Sequence, residues 1–221
     1  MAKDKSSKQS LDTIISRNNN DKSAIWVTDF SQDSVIDFYD SFTEMEKDTE
    51  IQVIPVFISS YGGEVYALTA MRDLIKSSHK PVATIAVGMA MSAAASLLAS
   101  GTKGCRFASP DAHIMIHQVS GMAPGKTADV VESAAVISAL NRLLLQNLAK
   151  DSGNSLKKIE KAITSKNNAD WTLTAEDAKS WGIVDHIGIP RLLKESSPMI
   201  LIQTKPFAQK KSSTPKGHKK P

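Results

Sequence analysis

Between residues 23 and 119, short apolar runs alternate with stretches in which apolar residues return every three or four positions. SAIWVTDF (23–30) and IQVIPVFISS (51–60) have strand composition, and the second run is bounded by SYGGE. EVYALTAMRDLIKSS (64–78) puts Val65, Leu68, Met71, Leu74 and Ile75 on one face at helical spacing. PVATIAVG (81–88) reads as a buried strand, AMSAAASLLAS (90–100) as a helix and AHIMIHQV (112–119) as another short strand. This alternation predicts an α/β fold with a largely parallel sheet.

After GMAPGKT the pattern predicts a long helix running to about Lys150. Thr127 is its expected N-cap, and Asp129 and Glu132 suit the positive end of its dipole. Val130, Val131, Ala134, Ile137, Leu140, Leu144 and Leu148 continue an apolar stripe that Leu143 and Leu145 widen. One core contact does not need so broad a face, and a helix of this kind often packs against another subunit. Further on, Ser155 can cap a helix, and Thr174 with Asp177 forms a capping-box pattern ahead of AKSWG. Gly182 is a natural helix end, followed by the strand-like IVDHI (183–187). No internal repeat is visible.

Composition changes this picture at three points. Of the 221 residues, 41% are hydrophobic and 23% charged, as in an ordinary globular domain. The formal net charge of +4 resides in the end of the chain: the last nineteen residues hold six lysines and no acid, leaving about −2 for residues 1–202. Such a Lys-, Pro- and Ser-rich tail cannot bury enough apolar area to order itself, so a solvated end is expected rather than nucleic-acid binding. The lone Cys105 excludes an intrachain disulfide, suits a reducing, cytoplasmic compartment and reads as a small buried hydrophobe. MAKDKSSKQS has no apolar core, so no secretory signal is expected there. Pro81 to Thr102 carries no charge and is long enough to span a bilayer. Its Ala, Ser and Gly content and the break at Gly88 favour a buried strand joined to a buried helix, so no membrane partner is expected.

The candidate chemistry begins at Ser92, where TIAVG hands over to SAAASLLAS. A helix start favours nearby negative charge, its free N–H groups can hold an oxyanion, and small neighbours admit a substrate backbone. The same serine could equally be a packed hydroxyl bonded to a carbonyl. A nucleophilic serine needs a base. Among five histidines, His113 and His117 flank IMI on the same face, and His117 ends the strand at a loop. It is either a base or a strand-end cap. The paired glycines of SYGGEV allow close backbone approach and expose N–H groups, or simply make a turn.

Taken together, strand–SYGGEV–helix, strand–GMAMSAA–helix and IMIHQ, with serine and histidine 25 residues apart, resemble the Clp protease proteolytic subunit family. The resemblance covers about Val53 to Ile187, including ASGTKGCRFASPDAHIMIHQ, GKTADV and LTAEDAKSWGIVDHI. It implies a Clp/crotonase-like repeated β-β-α spiral with a protruding handle helix, matched by residues 127–150. By the same resemblance Ser92 is the nucleophile, His117 the general base and Asp170 the acid that orients it. The oxyanion donors are then the backbone N–H groups of Gly63 and Ala93. The implied protein is a serine endopeptidase of 23–195 between a 1–22 lead and a 196–221 tail, with no metal or cofactor. Family members stack two seven-membered rings around the active sites, and an AAA+ ATPase feeds them unfolded polypeptides. This chain departs from the pattern at Tyr61 (usually proline), at Ala93–Ala94 (usually Met-Gly) and in SKNNADW, about four residues longer than typical. That longer segment leaves Asp185 as the reserve acid, although as part of GIVDHI it reads better as structural. The region before SAIWV also differs from the segment that lines the family's axial pore. A non-cutting ring subunit, a phage-type processing protease without an ATPase, and an acyl-CoA enzyme on a similar spiral are the other readings of these motifs.

Overall fold

The computed structural model describes residues 24–121, 124–165 and 170–190. The expected lead (1–22) and tail (196–221) lie outside them, as do residues 166–169 of the longer segment.

The strands predicted from apolar runs form, three of them shorter than the runs and the one in PVATIAVG extended to Met91, into the stretch read as the start of the next helix. They are β1 (Ile25–Val27), β2 (Ile54–Ser60), β3 (Val82–Met91) and β5 (His113–Ile116). The strand-like IVDHI forms β7 (His186–Ile187), and the structure adds β4 (Arg106–Ala108) and β6 (Trp171–Leu173). The order β1-β2-β3-β4-β7 is parallel throughout, β5 pairs in parallel with the second half of β3, and only β5–β6 is antiparallel. This is the largely parallel α/β sheet that the alternation predicts. The uncharged 81–102 stretch divides into β3 and α3 (Ala93–Ala99), and among the described residues no helix is long and apolar enough to cross a membrane.

The main core fills the space between one face of this sheet and helices α1 (Gln32–Lys47), α2 (Val65–Ser77) and α3. Helix α1 is not evident in the pattern because only Phe38, Phe42 and Met45 of its sixteen residues are buried. Ser31 starts it through a reciprocal cap with Ser34, 3.3 Å one way and 2.8 Å the other. In α2 the expected face is the buried one, with Ala67, Leu68, Met71 and Ile75 inside.

The long helix α4 runs from Thr127 to Ser152. Its N-cap is Lys126, one residue before the expected Thr127, because the Asp129 carboxylate accepts the Lys126 backbone N–H at 3.0 Å. Gly153 ends the helix in the left-handed region at φ 73°. Only Leu145, Leu148 and Ala149 are buried, whereas Val130, Val131, Val136 and Leu143 are exposed. The helix is therefore held at its C-terminal end and protrudes from the body at the other. The caps expected for the next two helices form as read: Ser155 on α5 (Leu156–Thr164), and Thr174 with Asp177 on α6 (Ala175–Ser180).

The anchor of α4 is ionic. Asp151 takes Arg72 at 2.9 Å and Lys76 at 2.8 Å, tying the helix end to α2. Arg106, buried in β4, donates to the Asp151 carbonyl at 2.8 Å and grips the Asp185 carboxylate through Nε at 2.9 Å and Nη2 at 2.7 Å. The Gly104 and Arg106 amides complete the Asp185 shell at 2.7 and 3.1 Å. Burial alone would raise the Asp185 carboxyl. The Arg106 hydrogen bonds and charge, with the two amides, overcome it and hold the group below the usual carboxylate range. Cys105 beside it is half-buried, with a thiol pushed up by burial and by the Asp185 charge.

Asp185→Ala is expected to cost about 3–5 kcal/mol in denaturant unfolding, because it strands a buried guanidinium. A depressed folded-state carboxyl stabilises the fold above the ordinary carboxylate range and ceases to do so as pH falls through its own folded value. Asp185→Asn should accordingly flatten the acid side of the stability–pH curve.

Candidate active site

Ser92 links β3 to α3 at φ 55°, ψ −117°, and it is the one non-glycine residue with positive φ among the described residues. A backbone held there costs about 1–3 kcal/mol and persists only when its surroundings fix it. Three contacts do so. The Ser92 N–H donates to the Met115 carbonyl of β5 at 2.7 Å, and the Ser92 carbonyl accepts from Ala95 at 3.1 Å and Ser96 at 3.3 Å. From the other side Gly62, at φ 102°, lies so close that a Cβ on it would stand 2.8 Å from the Met91 carbonyl and 2.9 Å from Ser92 Cβ. Gly63 presses equally on the Phe30 carbonyl, 2.6 Å from an added Cβ, and the Glu64 N–H donates to that carbonyl at 2.8 Å. The Gly-Gly pair is thus more than a turn, since both positions are sterically closed to a side chain. Neither the Gly63 nor the Ala93 N–H donates to an acceptor among the described residues.

Register brings the other candidates to the same edge. Parallel pairing of Met91 with Met115 sets His117 two residues beyond, just past the end of β5. Antiparallel pairing of Ile116 with Trp171 makes His117 and Asp170 the next opposed pair. Ser92, His117 and Asp170 therefore leave three neighbouring strands at one end of the sheet, the first two half-buried and Asp170 exposed. No hydrogen bond joins their side chains in this structure. The reserve acid Asp185 is elsewhere. Arg106 pairs with Thr84, in the first half of β3, and occupies both Asp185 oxygens.

Two residues of α4 shape this edge, Asn141 with no signal in the sequence and Ile137 from the apolar stripe. Asn141 of α4 accepts the Val119 N–H at 3.1 Å, holding the loop that follows His117 against the long helix. Ile137, one turn earlier, packs so tightly on Gly121 that an added Cβ would come within 2.8 Å of its Cδ1.

A strained serine at the carboxyl end of a parallel strand, with free backbone N–H groups and a histidine at the next strand end, is the layout of an α/β serine hydrolase. A family model described as Clp protease matches residues 6–191, and the chain belongs to that family. Membership implies serine peptidase activity, and the family typically forms oligomeric rings.

Gly62→Ala is expected to retain the fold but to shift the Ser92 turn by a sizeable fraction of an ångström. Misplacement on this scale can cost about 100-fold in rate. The value of kcat/KM on a fluorogenic peptide, measured beside circular dichroism, checks it.

Proposed function

We propose that the chain is a serine endopeptidase in which Ser92 is the nucleophile, His117 the general base and Asp170 the residue that orients the histidine. The carrying observation is the convergence of these three residues on one sheet edge around the strained Ser92 turn. In the reaction the Ser92 hydroxyl adds to the scissile carbonyl as His117 takes its proton. The resulting oxyanion accepts from the Gly63 and Ala93 N–H groups. Collapse breaks the C–N bond, and the imidazolium returns the proton to the leaving amine. A water, deprotonated by the same histidine, then cleaves the acyl ester and restores the serine. Asp170 supports one imidazole tautomer throughout and is not consumed.

In this reading the substrates are unfolded or partner-delivered polypeptides, and copies of the chain stack as two seven-membered rings that enclose the sites. The exposed Val130, Val131, Val136 and Leu143 of α4 supply the apolar face for the ring–ring contact. An AAA+ ATPase is the proposed source of unfolded chain, in the cytoplasm; peptide-bond hydrolysis itself needs no ATP. The unlinked side chains also favour a second reading, a ring subunit that does not cut.

Treatment with a fluorophosphonate should modify wild type at Ser92 alone, lose the adduct in Ser92→Ala and slow strongly in His117→Ala. Asp170→Asn should lower peptide hydrolysis by up to about 10⁴-fold, whereas a folded Asp185→Asn should leave it within a few-fold. An unmodified Ser92 in a ring-sized assembly would support the non-cutting reading. Val131→Asp with Leu143→Asp should reduce the native mass from a double to a single ring.

A further inference from the structure

Away from the catalytic edge, α1 and α2 frame a shallow groove of about 510 Å³ lined by Val35, Ile36, Tyr39, Ala70, Asp73 and Leu74. Its rims are unusually apolar for a surface, with Ile36 60% and Tyr39 51% exposed. Tyr66, 62% exposed, continues the α2 side of the groove one turn earlier. The groove is also one-signed. Residues 29–50 hold eight acids against Lys47 alone. Asp33, Asp37 and Asp40 recur at helical spacing in a stripe beside Ile36, Asp73 stands opposite, and none has an ion pair among the described residues. The cations of α2 do not answer them, because Arg72 and Lys76 are spent on Asp151.

The chain carries the complement. Beyond Pro190, PMILIQTKPFAQKK (198–211) sets the apolar run Met199–Ile202 directly before Lys205, Lys210 and Lys211, with Phe207 between them. We propose that this segment docks in the α1–α2 groove, with Met199–Ile202 against Ile36, Tyr39 and Leu74 and the lysines along the Asp33–Asp37–Asp40 stripe. The reach suffices. β7 lies four strands from β1, about 19 Å across the sheet, and one helix layer adds about 10 Å. Nine extended residues from Pro190 to Met199 cover about 30 Å. A surface that accepts a few apolar residues can order an otherwise polar segment. The pairing also offsets opposite excesses, the acidic body and the basic end.

The test uses the full chain with p-benzoylphenylalanine in place of the exposed Tyr39. After irradiation, mass spectrometry should find the crosslink on peptides within 198–211, whichever copy supplies them. The triple variant Lys205→Glu, Lys210→Glu, Lys211→Glu, whose positions lie outside residues 24–190, should lower that yield about fivefold or more, as should high salt. Ile36→Asp should do the same. Crosslinks to residues 24–190 of a second copy, an unchanged yield in the lysine variant, or no crosslink at all would overturn the proposal.

Discussion

The Ser92 turn is the constraint on which the site depends. A serine at φ 55° lies outside the regions that L residues ordinarily occupy, so the neighbouring chain must be built to keep it there. The Met115 carbonyl fixes its N–H from β5, the first turn of α3 fixes its carbonyl, and the glycine at 62 lets the β2–α2 turn close over it. The same contacts that hold the strained backbone set where the hydroxyl, the Ala93 N–H and the Gly63 N–H stand. Strain and close packing are one local arrangement here.

β3 connects this turn to the rest of the molecule. Its first half pairs with β4, where Arg106 gathers Asp185 and the Asp151 carbonyl and so anchors the end of α4. Its second half pairs with β5, which delivers His117 and, through β6, Asp170. A register shift between Ile58 and Ser60 of β2, opposite the positive-φ Gly88, separates the two halves. The stabilising ion pairs and the candidate chemistry therefore occupy opposite ends of one strand. Asn141 and Ile137 both reach from the long helix to the loop beyond His117, so the orientation of α4 bears on the histidine through a hydrogen bond and an apolar contact.

Much of this was legible in the sequence, for identifiable reasons. Continuous apolar runs marked the central strands because both faces of β2 and of the first half of β3 are buried. The caps at Ser155 and Thr174 are local chemistry and formed as read. Helix α1 escaped because Ile36 and Tyr39 lie off its buried face and blur the period. The three-residue β4 and β6 are too short to show alternation. At the site, Ser92, His117 and the Gly-Gly turn carried a signal in residue type and order. The steric closure of Gly62 over Ser92 and the grip of Asn141 on Val119 did not, because both arise from contacts between segments distant in sequence. Asp185, which within GIVDHI reads better as structural than as the reserve acid, is indeed an Arg106 partner, and only the fold shows which cation reaches it.

In the proposed reaction the Ser92 turn presents its hydroxyl and two backbone donors to one carbonyl. A crystal structure of the chain treated with a peptide boronate tests it most directly. Boron should bond to Ser92 Oγ, with one boronate oxygen within hydrogen-bond distance of both the Gly63 and Ala93 N–H groups and His117 on the opposite side of the tetrahedron. A boronate bound at another residue, or bonded to Ser92 with its oxygens turned away from both donors, would contradict it.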